Sequence, residues 1–600
     1  MNREQSRALI TQTFTRGFDR SRFGNLAANL LKHFDDSKSS AMTVPDAFAP
    51  HIRNCWRLGT YKSPEGELAD VLIVNTTEVY KLGRARTALR NFVAHKLKRQ
   101  DSYKEAGLVA FVSPDLRSWR FSYIRMEYES KRDARTGKIA VEERLTPARR
   151  FSYIVGEGES CHTAQTRFLG LLSSEAEPSL ADLQNAFSVD AVTKEFYQEY
   201  CRLFEKIEKS LRTLAGEKKS IKEEFEEKGI STVDFAKKLM GQIVFLYFLQ
   251  KKGWLGVTKG AEWGTGPPDF LRKLARGEHG LYANFFNDVL EPLFYNTLAT
   301  DRGHEAWCSH FKCRIPFLNG GLFEPLGNYD WRKVNINLPD KLFTNSERVD
   351  EGVTGSGVLD LFDRYNFTVN EAEPLEKEVA IDPEMLGKVF ENLIEENRRK
   401  GLGAYYTPRE IVHYMCRESL INYLADAVNK DLDRLPRSDL DTFVHLGEQY
   451  SFYEAAKESG TIGRDYPKPP ESIKKYAHLI DNKLAEISIC DPAVGSGAFP
   501  VGMMTEIVRA RCALTPYFND THERSPYYFK RHAIQNCLYG VDIEVGAVEI
   551  AKLRLWLSLI VDEEDVSQIK PLPNLDYKIV PGNSLMGFPV LRKNFVKGAF

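Results

Sequence analysis

Two acids and a pair of glycines in the last quarter of the chain have the types and spacing of a ligand cradle. Ile487 to Cys490 is a short apolar run, followed at once by Asp491-Pro492-Ala493-Val494-Gly495-Ser496-Gly497-Ala498-Phe499 and then by a helix-like stretch from Pro500 to Cys512. A strand that runs into a glycine-rich turn and a helix start lets a ligand approach the backbone closely, because glycine has no Cβ and the first helical turn offers unpaired N–H groups. Phosphate is not the obvious guest. Gly495-x-Gly497 is followed by Pro500 where a dinucleotide fingerprint needs its third glycine, and the Gly-Lys-Ser/Thr of a phosphate loop occurs nowhere. An acid at the strand end, Asp491, suits an amine-bearing or cationic ligand better.

A second strand pattern, Leu538-Tyr539-Gly540-Val541-Asp542-Ile543, also ends in an acid and precedes an apolar helix from Ala547 to Ile560. In a doubly wound sheet such an acid accepts hydrogen bonds from both hydroxyls of a ribose. Asp542 follows Asp491 by 51 residues, against about 20 in a dinucleotide site, so an extra helix, Tyr528 to Cys537, is expected to fill the gap. A third strand, Tyr577 to Val580, leads into Pro581-Gly582-Asn583-Ser584, where an amide can meet a base edge. Upstream, Gly403-Ala404-Tyr405-Tyr406-Thr407-Pro408-Arg409-Glu410 opens a helix through Ile411, Met415 and Leu420. Thr407 and Glu410 have capping-box spacing, with Pro408 at the first helical position. A plain capped helix accounts for that spacing, and a helix start also seats a carboxylate. Together these features ask for a ligand with an amino-acid end and a nucleoside end, which S-adenosylmethionine satisfies.

The elements that must position these residues fall into three regions. Residues 1–175 mix β-type runs (Val71 to Val74, Leu108 to Val112, Phe121 to Met126) with a helix from Arg84 to Leu97, which predicts an α+β domain. Residues 176–375 turn helical, with apolar residues at three and four spacing in Val192 to Leu214, Val233 to Gln250 and Leu281 to Thr297. Residues 376–600 begin with a helix from Glu384 to Arg399 and continue as a βα alternation. The whole reads as a multidomain α/β protein.

Composition sets bounds. In 600 residues, 82 Lys plus Arg balance 83 Asp plus Glu, and 42% of residues are hydrophobic, so a globally basic nucleic-acid binder and a disordered chain are not indicated. From Thr76 to Arg150, however, 18 Lys or Arg stand against 9 Asp or Glu, with Arg84, Arg86, Arg90, Lys96, Lys98 and Arg99 the densest part. Such a patch either neutralises phosphates or is an indifferent solvated surface. The longest apolar run, Gly241 to Leu249, is about half of what crosses a bilayer and predicts a buried helix. Met1 to Phe14 lacks a secretory signal, and nine cysteines without a regular framework suit a reducing compartment, so a cytoplasmic protein with no membrane partner is expected. His304, Cys308, His310 and Cys313 have a composition zinc would accept, but the spacing fits no standard finger, and Trp307 and Phe311 read as core. No metal site is assigned there.

Gly403 to Pro408, Asp491 to Phe499, Tyr539 to Ile543 with Ala547-Val548-Glu549-Ile550-Ala551-Lys552-Leu553-Arg554-Leu555-Trp556, and Gly582-Asn583-Ser584-Leu585 resemble, in this order, the cofactor-binding motifs of amino-group DNA methyltransferases. The likeness is closest to adenine-N6 enzymes of the Eco57I-like kind found in Type IIG restriction-modification and related phage-defence systems. It extends upstream through Phe317-Leu318-Asn319-Gly320-Gly321-Leu322-Phe323-Glu324 and Asp382-Pro383-Glu384-Met385-Leu386-Gly387. The resemblance implies a Rossmann-like class I domain that binds S-adenosylmethionine and acts on double-stranded DNA. By it, Thr407 would hold the methionine carboxylate with Tyr406 nearby. Asp491, Ala493, Gly495 and Gly497 would hold the methionyl end, with Phe499 packed at the cofactor. Asp542 would take the ribose, Ile543 a face of the adenine and Asn583 its edge.

Two features of the family are missing. Its catalytic Asn/Asp-Pro-Pro-Tyr/Phe segment does not occur before Phe600; Pro267-Pro268 and Pro469-Pro470 have the wrong flanks. The expectation is therefore the N-terminal, cofactor-binding portion of a larger methyltransferase, or a split protein needing a C-terminal catalytic and recognition portion or other defence-system subunits. Relatives also often begin with a nuclease domain whose Asp and Glu-x-Lys bind magnesium. Here the strand Ala69 to Thr77 puts Asn75 and Thr77 where the acid and lysine would fall, and Glu78 and Lys81 are one residue too far apart. A degenerate nuclease fold or a DNA-binding domain is expected, with magnesium only if the domain cuts DNA. The alternatives are a bifunctional restriction-methylation enzyme, tested at Asp70, and a non-catalytic, cofactor-gated DNA-binding or assembly subunit.

Overall fold

The computed structural model describes residues 1–79, 85–98, 104–132, 139–303, 305–318, 321–350, 353–369, 371, 375–385, 387, 407–430, 435–458, 468–560, 573, 575 and 577–586. Helices α1 (Arg3–Phe14) and α2 (Arg20–Leu31) precede six strands: β1 (Ser40–Met42), β2 (Ile52–Lys62), β3 (Leu68–Thr76), β4 (Ala106–Val112), β5 (Ser118–Arg132) and β6 (Ile139–Gly156). These lie side by side in chain order. Only the β3–β4 pair among the six is parallel, as its crossover helix α3 (Arg86–Leu97) requires. Alternation along the strands sorts the side chains. Val71, Ile73, Leu108, Ala110 and Val112 face the core made with α1, α2 and α4 (His162–Ser173), whereas Leu72, Val74, Val109 and Phe111 face α3. Covered on both faces, β4 is buried along its whole length, hence its unbroken apolar sequence. The three predicted strands are the inner parts of β3, β4 and β5, and the predicted helix starts at Arg86; Arg84 lies outside the described residues.

In the helical region, α5 (Val189–Glu217) buries Val192, Phe196, Tyr200, Leu203, Ile207 and Leu211, one stripe at three and four spacing. Helix α6 (Thr232–Lys251) is buried all round from Leu239 to Gln250, as its apolar run predicted. No described helix is long and apolar enough to cross a membrane. The helix expected over Leu281 to Thr297 is different. Leu281 is fully exposed after a left-handed Gly280, and Phe286–Leu290 and Pro292–Leu298 form two wide turns with π-type hydrogen bonding. Pro292 has no N–H to give to an α-helical ladder, and the helix widens where that bond is lost.

Between those turns sits Glu291, fully buried, accepting from the Tyr329 hydroxyl at 2.6 Å. Burial raises its carboxyl to about 8, only partly offset by that hydrogen bond. An acid whose pKa is raised on folding stabilises most below its unfolded value and loses that contribution as pH climbs through the folded one. Stability should therefore fall by several kcal/mol between about pH 4.5 and 8, because each pH unit between the unfolded and folded values is worth about 1.4 kcal/mol. Glu291→Gln should flatten this part of the urea-denaturation profile and be the more stable chain above the folded value.

The chain returns to the first sheet at β7 (Glu376–Glu378), which pairs in parallel with β6. The stretch assigned from sequence to the third region therefore starts as an edge strand of the first. Its acids meet the basic segment. Arg90 and Arg150 both lie 3.2 Å from Glu376, and Arg120 lies 3.3 Å from Glu378, all of them buried or nearly so. Lys96 is buried over the Phe92 ring. Three cations of the segment read as a phosphate-neutralising or solvated patch, Arg90, Arg120 and Arg150, thus form an internal ion-pair network, because β7 brings the acids in from far along the chain. Arg99, like Arg84, lies outside the described residues.

Beyond it, α7 (Arg409–Asn429), α8 (Arg437–Glu458) and α9 (Ala477–Glu486) lead to a parallel three-stranded sheet of β8 (Ile489–Asp491), β9 (Leu538–Asp542) and β10 (Ile579–Pro581), in that order. Helix α10 (Ala498–Leu514) follows β8, α11 (Pro526–His532) fills the gap foreseen before β9, and α12 (Val545–Ile560) joins β9 to β10. A continuous core runs from Leu9 to Ile579. Of the helix predicted over Glu384 to Arg399, only residues 384, 385 and 387 are described.

Candidate functional site

Parallel register places Asp491 opposite Gly540, and Gly540 opposite Ile579, so the two acids end adjacent strands on one edge of the sheet. The turn after β8 bends through left-handed Gly495 (φ +51°) and Gly497 (φ +86°). A Cβ on Gly497 would stand 3.0 Å from the Ala551 Cβ of α12, so this glycine serves both the turn and a close helix contact. Gly540 serves packing alone. A Cβ there would lie 2.7 Å from Val494, inside the turn. Gly540→Ala should cost about 1–3 kcal/mol by overpacking, read as a lower urea midpoint with an unchanged slope.

Asp542 does more than the sequence foretold. Its Oδ2 accepts the Gly495 N–H at 2.8 Å and its Oδ1 the Glu544 N–H at 2.9 Å, so the strand-end acid pins the glycine turn. Each carboxylate oxygen keeps a lone pair for a hydroxyl. Asp491 accepts the Ala493 N–H on Oδ1 at 3.0 Å, while Oδ2 is shielded from water without a hydrogen-bond partner. Burial raises the Asp491 carboxyl above its ordinary value, and the charge of Asp542 adds to the rise. Both effects are relieved by a cation.

Ile543 is half exposed beyond β9, and Phe499 packs partly buried at the start of α10. Asn583 is exposed after β10; its Oδ1 accepts the Leu585 N–H at 3.0 Å, which leaves the amide hydrogens for a base edge. Thr407 lines a cavity of about 170 Å3 with Glu371, Arg409, His413, Ala498 and Arg554. Tyr406 lies outside the described residues. The capping box does not form. Helix α7 starts at Arg409 with Pro408 at its cap and no side-chain capping bond, and Glu410 is drawn to Lys377 of β7 at 3.0 Å.

Two braces escaped the sequence reading. Arg554 of α12 donates to the Ser496 carbonyl at 3.0 Å and makes a two-point ion pair with Glu371 at 2.8 and 2.9 Å. Lys237 of α6 lies 3.3 Å from Glu544, two residues after Asp542. Their partners are hundreds of residues away or in another region, and no local spacing signals them.

At the first sheet, Asn75 donates to Asn54 across β2 and β3 at 2.6 Å, and Thr77 donates to the Pro50 carbonyl at 2.9 Å. Amides rather than carboxylates face each other where Asn75 meets Asn54. Asp70 sits toward the start of β3, buried, ion-paired with Lys104 and accepting from Thr60 at 2.7 Å. Glu78 is exposed and Lys81 lies outside the described residues. Cys308 and Cys313 pair across a short hairpin and are buried, whereas His310 is exposed; His304 lies outside the described residues. Among the described residues no group of three or more His, Cys, Asp or Glu could hold a metal, and all nine cysteines are free.

No protein-family model matches the chain. Over 425 residues the chain is 32% identical to a protein of Methanocaldococcus jannaschii named provisionally as a type II restriction enzyme and methyltransferase. That alignment takes in 66% of this chain and 32% of the relative, so the chain spans about a third of the length of the curated protein it matches. Two solved structures align more loosely. The Type IIL restriction-modification enzyme MmeI in complex with DNA is 15% identical at a TM-score of 0.33, over 65% of this chain and 40% of that one. The DrdV–DNA complex is 12% identical at 0.25, over 97% and 39%. Similarity at these scores supports no argument about fold or function.

Proposed function

We propose that residues 376–600 carry the S-adenosylmethionine-binding half of a Rossmann-like DNA methyltransferase of the Eco57I-like kind, which methylates the exocyclic amine of an adenine in double-stranded DNA. The observation that carries the reading is the pair of acids ending adjacent parallel strands, with Asp542 tied to the Gly495 N–H of the turn that follows Asp491. The residues fit the group. Asp491 has a shielded oxygen in need of a donor, which the cofactor amine supplies. Asp542 takes the ribose hydroxyls, and the backbone of Ala493, Gly495 and Gly497 leaves room for the methionyl end. Ile543 lies against the adenine, Asn583 meets its edge, and Phe499 packs behind it. Thr407 takes the carboxylate, with Tyr406 beside it.

When bound, the cofactor supplies a methyl group on a sulfonium. The residues of this chain position it, and positioning of two reactants contributes much of the rate in a direct transfer. The target base must leave the duplex stack to reach it. The relative's name also mentions restriction. The Asn54–Asn75 amide pair and the buried Asp70–Lys104 ion pair give a magnesium nuclease reading no support in the first region. Calorimetric titration of the chain with S-adenosylhomocysteine tests the proposal. One-to-one binding is expected, and absence of binding to folded protein overturns it.

A further inference from the structure

We infer that the cavity between α7, α10 and α12 is a binding site for a compact, multiply charged oxyanion of the phosphate kind, with the His413 imidazole as one of its donors. Neither strand-end acid, Asp491 or Asp542, lines this cavity. Only its effect on cofactor affinity rests on the cofactor reading above.

His413 of α7 is buried, and its Nδ1 lies 2.7 Å from Oε1 of Glu506, itself buried on α10. Burial alone would raise the Glu506 carboxyl, but the His413 hydrogen bond and the charges of Arg509 and Arg417 hold it down at about 2. Glu506 is therefore a carboxylate, which can only accept, so the proton between the two groups sits on Nδ1. The imidazole lines the cavity, and its Nε2 has no hydrogen-bond partner among the described residues. A buried polar atom without a partner is costly. Water or a ligand in the cavity has to supply one, and the surrounding charge selects the ligand.

Five helices each contribute one cation to the walls: Arg86 of α3, Arg409 of α7, Arg509 of α10, Lys530 of α11 and Arg554 of α12. Against them, the acids among the described lining residues are Glu371 and Glu384, paired with Arg554 and Arg409 respectively. Like charges gathered in a low-dielectric space repel one another, and an anion among them turns that repulsion into attraction. Guanidinium groups donate paired hydrogen bonds to oxyanions, and a protonated imidazole adds a charge-assisted one. The cavity, at about 170 Å3, is smaller than the roughly 300 Å3 or more of a site for a drug-sized ligand, which suits a compact ion. Thr407 lines the same cavity. A phosphate there and a cofactor carboxylate on Thr407 would repel, and by linkage each weakens the binding of the other equally.

The test uses the 600-residue chain with inorganic phosphate as probe, titrated calorimetrically at fixed ionic strength against sodium chloride and first without any cofactor analogue. One-to-one binding above the chloride control is expected. His413→Ala should weaken it about tenfold or more, the worth of one hydrogen bond to a charged group. His413→Gln, which keeps an N–H donor, should recover part of the loss. Arg509→Gln, at a less buried position on the wall, should weaken binding several-fold and serves if the His413 variants do not fold. Saturating phosphate should lower the affinity for S-adenosylhomocysteine several-fold, and His413→Gln should reduce that antagonism. Absence of phosphate binding to the folded chain overturns the site. Binding that His413→Ala and Arg509→Gln leave within about twofold puts the ion elsewhere and overturns it equally. Bound phosphate with unchanged affinity for S-adenosylhomocysteine overturns the antagonism alone. Bound phosphate in a chain that takes no S-adenosylhomocysteine overturns the cofactor reading and supports the phosphate site.

Discussion

Asp542→Ala should bind S-adenosylhomocysteine about 100-fold or more weakly than the unaltered chain. Two hydroxyl donors to a charged acceptor are each worth about 1.5–3 kcal/mol when the acceptor is lost, and about 1.4 kcal/mol is a factor of ten. The structure adds a second source of loss, since the same carboxylate holds the N–H groups of Gly495 and Glu544. Without it the turn is free to open, and Lys237 loses the fixed position of its partner Glu544. Asp542→Asn separates the two roles. Its remaining oxygen can hold one backbone N–H, so the fold should stay close to that of the unaltered chain while the ribose contact weakens. Calorimetry with urea denaturation on both variants reads the split. Equal affinities in Asp542→Ala and the unaltered chain would place the nucleoside elsewhere.

Glu376→Ala should cost about 3–5 kcal/mol of stability, the usual penalty for stranding one side of a buried ion pair. Glu376 is the shared acid of Arg90 and Arg150, and Arg150 is buried to its tip, over the Phe111 ring. Burial already pushes the Arg150 guanidinium below its ordinary value, with Glu376 the main influence restoring it. Removing the carboxylate leaves Arg90 and Arg150 without the acid they share. The urea midpoint should drop markedly, and β7 should lose amide protection before the central strands β3 and β4. A change below about 0.5 kcal/mol, typical of a surface substitution, would mean that water reaches these arginines.

Features carried by a few contiguous residues were readable without the fold. Runs of β-branched and aromatic residues gave the inner parts of β3, β4 and β5, and three and four spacing gave α5 and α6. Asp491 to Gly497 announced a strand, a turn and a helix in order, because glycine's freedom and the exposure of helix N–H groups are local properties. The misreadings were local patterns overruled from a distance. Thr407 and Glu410 had capping spacing, yet Lys377 takes Glu410. Leu281 to Thr297 had helical apolar spacing, yet a left-handed Gly280 and Pro292 broke its ladder.

Charge was where sequence reading had least to work with. Arg90, Arg150 and Arg120 look like surface cations in a basic stretch, and nothing near them shows that Glu376 and Glu378 will arrive through an edge strand. Arg554 sits 183 residues from Glu371, and Asp542 lies 47 from the Gly495 it pins. Propensity and periodicity act over one or two turns of chain and so determined the elements, the glycine turn and the strand-end acids. Coulomb attraction and desolvation depend on which groups the packed chain brings within a few ångströms. Only the tertiary structure decided that Arg90, Arg120 and Arg150 of the basic segment turn inward, that Asp542 clasps the turn, and that Glu371 and Lys237 brace the candidate site from outside it.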